Sequence, residues 1–104
     1  MHPGARLHRA SWRRAGRLVP SRARGLRAGA VRLGPGGVVA WHTTGRREEL
    51  LVSLEGCVTL EVRARGLRRA RMRAGQSMWL PPGTRHRVVN DGRRPARYVY
   101  VTDV

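Results

Sequence analysis

The chain has 104 residues, of which 22 are basic and 6 are acidic, so its formal net charge is +16 at pH 7. This length suits one domain, and the single cysteine, Cys57, excludes an internal disulfide and a zinc site built from several cysteines. The sequence holds neither an apolar run of roughly 20 residues, as a membrane-spanning helix needs, nor the apolar segment of a signal peptide. We therefore expect a cytoplasmic protein without a membrane span.

Residues 1–25 differ from the rest of the chain in charge and hydrophobicity. They contain arginine but no acid, and the first acidic side chain is Glu48. Apolar residues are sparse, and Pro and Gly would interrupt a helix. We expect a basic, disordered N-terminal extension with at most a short strand at Leu18 and Val19. Its charge would attract nucleic acid without specificity, although arginine without any lysine also fits GC-rich coding.

From Leu26 onward, short strand-like runs alternate with turns rich in Gly, Pro, Asn and Asp. The stretch CVTLEVRA alternates apolar and polar residues, as a half-buried strand does. About eight such runs follow one another, and none has the period of a helix. The pattern predicts an all-β sandwich or barrel over residues 26–104.

One stretch near the C-terminus, GQSMWLPPGTRHRVVN, carries a specific spacing. Gly75 is followed by Pro81, Gly83, His86 and Asn90 at fixed intervals. This spacing resembles the second motif of the cupin family at all five of its fixed positions.

The first cupin motif is expected upstream, and GVVAWHTTGRREELLVSLEG fits it closely. Gly36, His42, Glu49 and Gly56 stand at the family's positions, whereas Thr44 occupies the place of its second histidine. The 18 residues between the motifs are expected to form one β-hairpin, and the resemblance covers residues 31–104.

The resemblance implies a double-stranded β-helix, or jelly-roll barrel, that binds a divalent metal ion inside. Carried over by position, the metal ligands are His42, Glu49 and His86, with Glu48 as an alternative to Glu49. Thr44 is a poor ligand for such an ion. Two imidazoles and a carboxylate suit Fe, Mn, Ni or Zn and leave coordination positions open.

These residues leave three functions open. The first is a metal-dependent enzyme that acts on a small, anionic metabolite by oxygenation, isomerisation or lyase chemistry; no separate catalytic acid or base is evident. The second is a metal-free, non-catalytic module that binds or senses a small molecule. The third is electrostatic association with nucleic acid through the basic extension.

Neighbouring residues carry further expectations. Trp41 should face away from His42 and would anchor a homodimer. Thr44 would hold a water molecule or pair with Glu49, and Asn90 would cap its turn. We expect Cys57 to be a small core residue. Arg85 and Arg87 are expected in solvent, and core or pocket-wall positions are expected for Met78, Trp79, Tyr98 and Tyr100.

Overall fold

The computed structural model describes residues 6–104, and this part of the chain forms nine β-strands and no helix. No helix in this range is therefore long and apolar enough to cross a membrane. The strands are β1 (Gly16–Arg17), β2 (Leu26–Leu33), β3 (Val38–Thr43), β4 (Glu49–Glu55), β5 (Cys57–Arg63), β6 (Leu67–Arg73), β7 (Ser77–Leu80), β8 (Arg85–Val89) and β9 (Ala96–Asp103).

The strands form two antiparallel sheets. The five-stranded sheet has the order β1-β2-β9-β4-β7, and the four-stranded sheet has the order β3-β8-β5-β6. Apart from the β5–β6 hairpin, which stays within one sheet, strands β2 to β9 alternate between the two facing sheets in the order of a jelly roll. The all-β prediction is confirmed and the strand order agrees with a jelly roll, but within residues 6–104 the two sheets are separate hydrogen-bonded ladders and do not form a closed barrel.

Alternation along the strands separates an inner face from an outer face. On β5, Val58 and Leu60 are almost fully buried between the sheets, while Glu61 lies on the outer face. Both sheets contribute residues to the core, which also contains Leu51, Met72, Leu80, Val88, Ala96 and Tyr98. Strands β5 and β6 pair from Cys57↔Arg73 to Arg63↔Leu67, which confirms the predicted hairpin between the motifs.

The motif glycines mark tight turns. Gly56 joins β4 to β5 with φ +70°, and a Cβ there would lie 2.6 Å from the carbonyl oxygen of Pro95. Any side chain would therefore strain the backbone and collide with the neighbouring loop. The other three motif glycines, Gly36, Gly75 and Gly83, also have positive φ.

A short part of residues 6–25 pairs with the free edge of β2. Gly16 and Arg17 pair with β2, and the amide of Leu18 donates to the carbonyl of Ala28 at 2.9 Å. The short strand thus lies directly before the predicted position at Leu18 and Val19. Residues 1–5 of the predicted extension lie outside the described residues, and a separate extension over residues 1–25 stays a prediction.

Candidate metal centre

Three predicted ligands come together between the two sheets. His42 on β3 is the register partner of His86 on β8, and their ring centroids lie 4.2 Å apart. Glu49 begins β4 on the opposite sheet. One ligand atom from each of the three residues lies within 4.8 Å of the others. The arrangement presents two imidazoles and one carboxylate to a common point.

Both histidines are oriented by the backbone two residues earlier. The Nδ1 atom of His42 lies 2.8 Å from the carbonyl oxygen of Ala40, and that of His86 lies 3.0 Å from the carbonyl oxygen of Thr84. With Nδ1 as the donor, Nε2 of each ring is left as the ligand atom. Such outer-shell bonds fix the tautomer and the ring direction in metal sites. The donor set therefore fits a divalent transition metal ion.

His86 and Glu49 interact directly. The Nε2 atom of His86 lies 3.3 Å from Oε1 of Glu49, and both side chains are almost fully buried. Burial lowers the pKa of His86, but the bonds to Glu49 and to the Thr84 carbonyl, with the Glu49 charge, raise it above its ordinary value overall. Nε2 of His86 must lose its proton to bind a metal ion, so protons and metal compete for this atom.

Thr44 lines the same cavity, but its hydroxyl group is engaged elsewhere. It donates to the carbonyl oxygen of Pro81 at 2.9 Å and accepts from the amide of Thr84 at 2.9 Å. The expectation that Thr44 pairs with Glu49 is therefore wrong. Thr44 instead connects the end of β3 to the turn before His86.

Glu48 is directed away from the centre. It is exposed, and its carboxylate accepts a hydrogen bond from Nε1 of Trp79 at 3.0 Å. Adjacent residues on an extended chain point to opposite sides, so Glu49 faces inward when Glu48 faces outward. Of the two glutamates, only Glu49 belongs to the three-residue cluster.

The three residues line a cavity of about 270 Å³ between the two sheets. Its walls are mainly apolar, and two arginines, Arg27 and Arg47, also line it. Burial raises the pKa of Tyr98, and the Glu49 charge adds to this effect, so the phenol stays neutral. The other wall residues include Val31, Val39, Leu51, Val88, Tyr100 and Thr102.

The sequence reading missed one residue that shapes this cavity. Gly29 on β2 pairs with Tyr100 on β9, and a Cβ on Gly29 would lie 2.5 Å from the Tyr100 hydroxyl oxygen. The Tyr100 ring therefore lies over a glycine. Gly29 lies in the run RAGAV, where nothing distinguishes a packing glycine from a turn glycine.

Several expectations about neighbouring residues need correction. Trp79 is 57% exposed on the outer face of the five-stranded sheet, so it is not a core residue, and it does not line the cavity at the candidate metal centre. Cys57 is only partly buried, and Nε of Arg71 donates to its sulfur at 3.1 Å. Arg87 is half-buried and paired with Glu61, because the outer face contains a carboxylate. Arg85 is exposed, as expected.

The expectations for Met78, Tyr98, Tyr100 and Asn90 are confirmed. Met78 packs against the core, Tyr98 is a core residue and Tyr100 lines the cavity. Asn90 caps its turn by accepting from the amide of Gly92 at 3.0 Å. Its amide group also donates to two carbonyl oxygens, those of Leu33 and Arg94, at 2.9 and 2.8 Å.

Comparison with solved structures supports the fold. A Cupin 2 conserved barrel domain protein from Salinispora arenicola is 26% identical with a TM-score of 0.72, over 86% of this chain and 73% of that one. Peruvianin-I, a cysteine peptidase from Thevetia peruviana latex, is 27% identical with a TM-score of 0.69, over 76% of this chain. An oxalate oxidase is 24% identical with a TM-score of 0.70, over 76% of this chain, a likeness of fold alone.

The chain spans only 50% of the peruvianin-I chain and 42% of the oxalate oxidase chain. No curated protein matches the sequence. Residues 29–102, however, match the family profile described as the cupin domain. The chain therefore belongs to the cupin family.

Proposed function

We propose that this protein binds one divalent metal ion, Fe, Mn, Ni or Zn, through Nε2 of His42, Nε2 of His86 and the carboxylate of Glu49. The single observation that carries this proposal is the convergence of the three ligand atoms within 4.8 Å of one another. The hydrogen bonds at both Nδ1 atoms support it, because they leave Nε2 as the ligand atom of each ring.

Three protein ligands would leave coordination positions for water or substrate. The bound ion would supply Lewis acidity or a centre for oxygen chemistry at those positions. Thr44 does not complete the set, since its hydroxyl is bonded to Pro81 and Thr84. The chain's own contribution is to hold the ligands rigidly and to surround the open positions with apolar walls.

We further propose that the ligand or substrate is a small anionic metabolite. The cavity of about 270 Å³ fits a small molecule, and Arg27 and Arg47 supply positive charge at its lining. The neutral phenol of Tyr98 offers a hydrogen bond without adding negative charge. A compact carboxylate or phosphate could thus contact an open metal position and an arginine together.

A metal-free binding module is the alternative, and one observation favours it. Glu49 and His86 already satisfy each other as a buried pair at 3.3 Å. Such a pair can persist as a structural feature of a cavity that binds small anions without a metal ion.

Metal content separates the two functions. We expect the protein, purified without chelators, to contain close to one equivalent of metal by inductively coupled plasma mass spectrometry. His42→Ala and His86→Ala should lose it, and His8→Ala, at an exposed histidine outside the cluster, should retain it. A parent protein that contains no metal ion would establish the alternative, and His86→Ala should then be destabilised because it leaves the buried Glu49 without its partner.

Anion binding is tested separately by calorimetric titration with malonate and inorganic phosphate. We expect the double variant Arg27→Gln/Arg47→Gln to bind at least ten-fold more weakly than the parent protein. Arg22→Gln/Arg24→Gln removes the same charge from exposed positions that do not line the cavity. Equal weakening in both variants would attribute the effect to net charge alone.

We also propose a homodimer that pairs through the outer face of the five-stranded sheet. Trp41, the expected anchor of the dimer, is not on this face, because it lies beside the guanidinium groups of Arg63 and Arg87 on the other sheet. The centre of the five-stranded sheet carries an apolar surface in a chain with 22 basic residues. This surface comprises the exposed side chains of Leu50 and Trp79 and the partly buried Val52, Val99 and Val101, while Ala28 and Ala30 in the same cross-strand rows are already buried.

Charge favours a second copy as the occupant. Arg32 and Arg97 flank one end of this surface, where Arg97 also pairs with Glu55 at 3.4 Å, and Glu48 and Asp103 flank the other. Two copies related by a two-fold axis through its centre would bring the basic end of one copy to the acidic end of the other. This pairing would also keep the two four-stranded sheets, with their arginines, on opposite sides of the dimer.

Sedimentation velocity tests this pairing. Leu50→Asp, at a side chain that is 38% exposed, should convert the dimer to a monomer. Leu67→Asp is a matched control on the four-stranded sheet, where Leu67 is 46% exposed. A monomeric parent protein at tens of micromolar, or equal effects of both substitutions, would refute the interface. A cytoplasmic location remains part of the proposal, supported by the single unpaired Cys57.

A further inference from the structure

The outer face of the four-stranded sheet is covered with arginine. Side chains alternate between the two faces of a strand. On β5, β6 and β8 the inner face carries the core residues Val58, Leu60, Met72 and Val88, so the neighbouring residues point to the outer face. The outward arginines are Arg63, Arg69, Arg71, Arg73, Arg85 and Arg87. We call this surface the arginine face.

The arginine face contains one outward carboxylate on its strands, and that group is already engaged. Glu61 is the register partner of both Arg69 and Arg87 and is only 3% exposed. Arg69 donates to its Oε2 at 2.6 Å, and Arg87 donates to its Oε1. Two of the six arginines are thus fixed in position, while the others lack such a partner on these strands.

Arg63 and Arg85 are direct cross-strand partners. Like charges placed opposite each other destabilise a sheet unless an anion neutralises them. Within residues 6–104, neither side chain forms an ion pair with a carboxylate. This pair therefore offers two adjacent cations to an external anion.

Trp41 adds an aromatic ring to this surface. Its ring lies 5.1 Å from the guanidinium carbon of Arg63 and 5.2 Å from that of Arg87. Guanidinium groups that rest against an aromatic ring lose part of their freedom and present flat surfaces. Both aromatic rings and guanidinium planes are surfaces on which nucleobases stack.

The arginines are not spread evenly over the protein. The centre of the opposite sheet's outer face consists of Ala, Val, Leu and Trp side chains. Arg32 and Arg97 lie only at one end of that face, whereas six outward arginines lie on β5, β6 and β8. The arginine face thus carries several cations, and its one carboxylate is already neutralised. Two such faces would repel each other, so this surface favours a polyanion as its partner over a second copy of the same face.

We propose that the arginine face binds single-stranded nucleic acid, with phosphates on the arginines and bases stacked against Trp41 and its neighbouring guanidinium groups. Every second residue of β6 from Arg69 to Arg73 is an arginine, so three cations follow one another at intervals of roughly 6.8 Å. Such a row would contact successive phosphates of an extended single strand. The aromatic ring among the cations is what distinguishes this partner from an acidic peptide or an anionic lipid surface. The inference does not depend on a metal ion in the cavity.

Fluorescence anisotropy with labelled twelve-nucleotide oligouridine and oligothymidine tests the proposal. The triple variant Arg63→Gln/Arg73→Gln/Arg85→Gln removes three exposed cations and leaves Glu61 with its two partners. We expect affinity to fall at least ten-fold. The slope of log K against log salt should become shallower by about 2, because each phosphate contact on a single strand contributes roughly 0.7.

The matched control is Arg9→Gln/Arg24→Gln/Arg22→Gln, which removes the same charge from exposed positions before β2. It should weaken binding less than three-fold. Equal losses in both triple variants would assign the binding to net charge or to the N-terminal segment and would overturn the proposal. So would a parent protein that fails to bind either oligonucleotide at 50 mM salt.

Trp41 separates nucleic acid from other polyanions. Trp41→Leu should weaken oligonucleotide binding several-fold, and Trp41→Tyr should restore most of it, because stacking needs an aromatic ring. Neither substitution should alter binding to heparin or to phosphatidylserine vesicles. If heparin or the vesicles bind more tightly than the oligonucleotides and Trp41→Leu has no effect on oligonucleotide binding, the partner is not a nucleic acid. The metal content of each variant is measured as well, because it reports on the cavity independently of oligonucleotide binding.

Discussion

The hydroxyl group of Thr44 donates a hydrogen bond to the carbonyl oxygen of Pro81 at 2.9 Å. It also accepts one from the amide of Thr84, so a single buried side chain joins the end of β3 to the turn that precedes His86. The residue at the position of the missing cupin histidine thus supports the placement of a remaining one.

We expect Thr44→Val to destabilise the protein by about 1–3 kcal/mol, because it removes both hydrogen bonds and leaves the amide of Thr84 without its acceptor. Thr44→Ser keeps the hydroxyl and should lose less than half of that amount. Urea unfolding followed by far-UV circular dichroism measures both. A Val variant as stable as the parent protein would show that the hydroxyl contacts are dispensable.

Gly29 sets the position of Tyr100 in the cavity wall. A Cβ at Gly29 would lie 2.5 to 2.7 Å from three atoms of the Tyr100 side chain, so Gly29→Ala should push the ring out of its place. We expect weaker binding of anions to the cavity and only modest loss of stability. Gly29→Ala/Tyr100→Leu, which removes the clashing hydroxyl, should relieve the strain. Identical thermal melting and anion affinity for Gly29→Ala and the parent would contradict this geometry.

Glu61 makes stability depend on acid pH. The hydrogen bond from Arg87 outweighs burial and, with Arg69, holds the pKa of Glu61 below its ordinary value of 4.5. A lowered folded-state pKa means that the stabilisation is present above the unfolded pKa and is lost as the pH falls through the folded pKa. Glu61→Gln should therefore reduce stability at pH 7 and flatten its decline between pH 5 and the acid limit.

The control for this pH dependence is Glu55→Gln. Glu55 is 49% exposed and pairs with Arg97 at 3.4 Å, and exposed pairs of this kind contribute little to stability. Melting temperatures measured across the acid range should be nearly the same as in the parent protein. If Glu61→Gln and Glu55→Gln changed the pH dependence of the melting temperature equally, the buried carboxylate of Glu61 would have no special role in it.

Asn90 fixes the loop between β8 and β9. It is 1% exposed, and its side chain bonds to Leu33, Gly92 and Arg94. We expect Asn90→Ala to cost about 2–4 kcal/mol, since it leaves several buried backbone groups without partners. Asn90→Asp keeps the acceptor for the Gly92 amide but cannot donate, so it should be destabilised as well. A loss below 1 kcal/mol in urea unfolding of Asn90→Ala would contradict this role.

The sequence was sufficient to predict the fold and the convergence of the candidate ligands. The motif spacings identify the family, and alternation along a strand predicts which residues share a face. His42, Glu49 and His86 meet because their strands lie at fixed positions in the jelly roll.

What could not be predicted depends on contacts between distant strands. The hydroxyl of Thr44 can donate to the carbonyl of Pro81 only because the fold brings the end of β3 next to the turn between β7 and β8. The outward position of Trp79 follows from its register against Leu50, and the pairing of Arg87 follows from Glu61 on the adjacent strand. No local pattern in the sequence encodes these relationships, so solvation was the simplest expectation for the arginine and burial for the tryptophan.

The central claim, that His42, Glu49 and His86 bind one ion together, is tested most directly by X-ray absorption spectroscopy of the protein loaded with one equivalent of Zn²⁺. The extended fine structure should show two imidazole ligands in the parent protein, one in His42→Ala and one in His86→Ala, with His8→Ala unchanged. Fewer than two imidazoles in the parent protein, or no loss in either variant, would contradict the proposed metal centre.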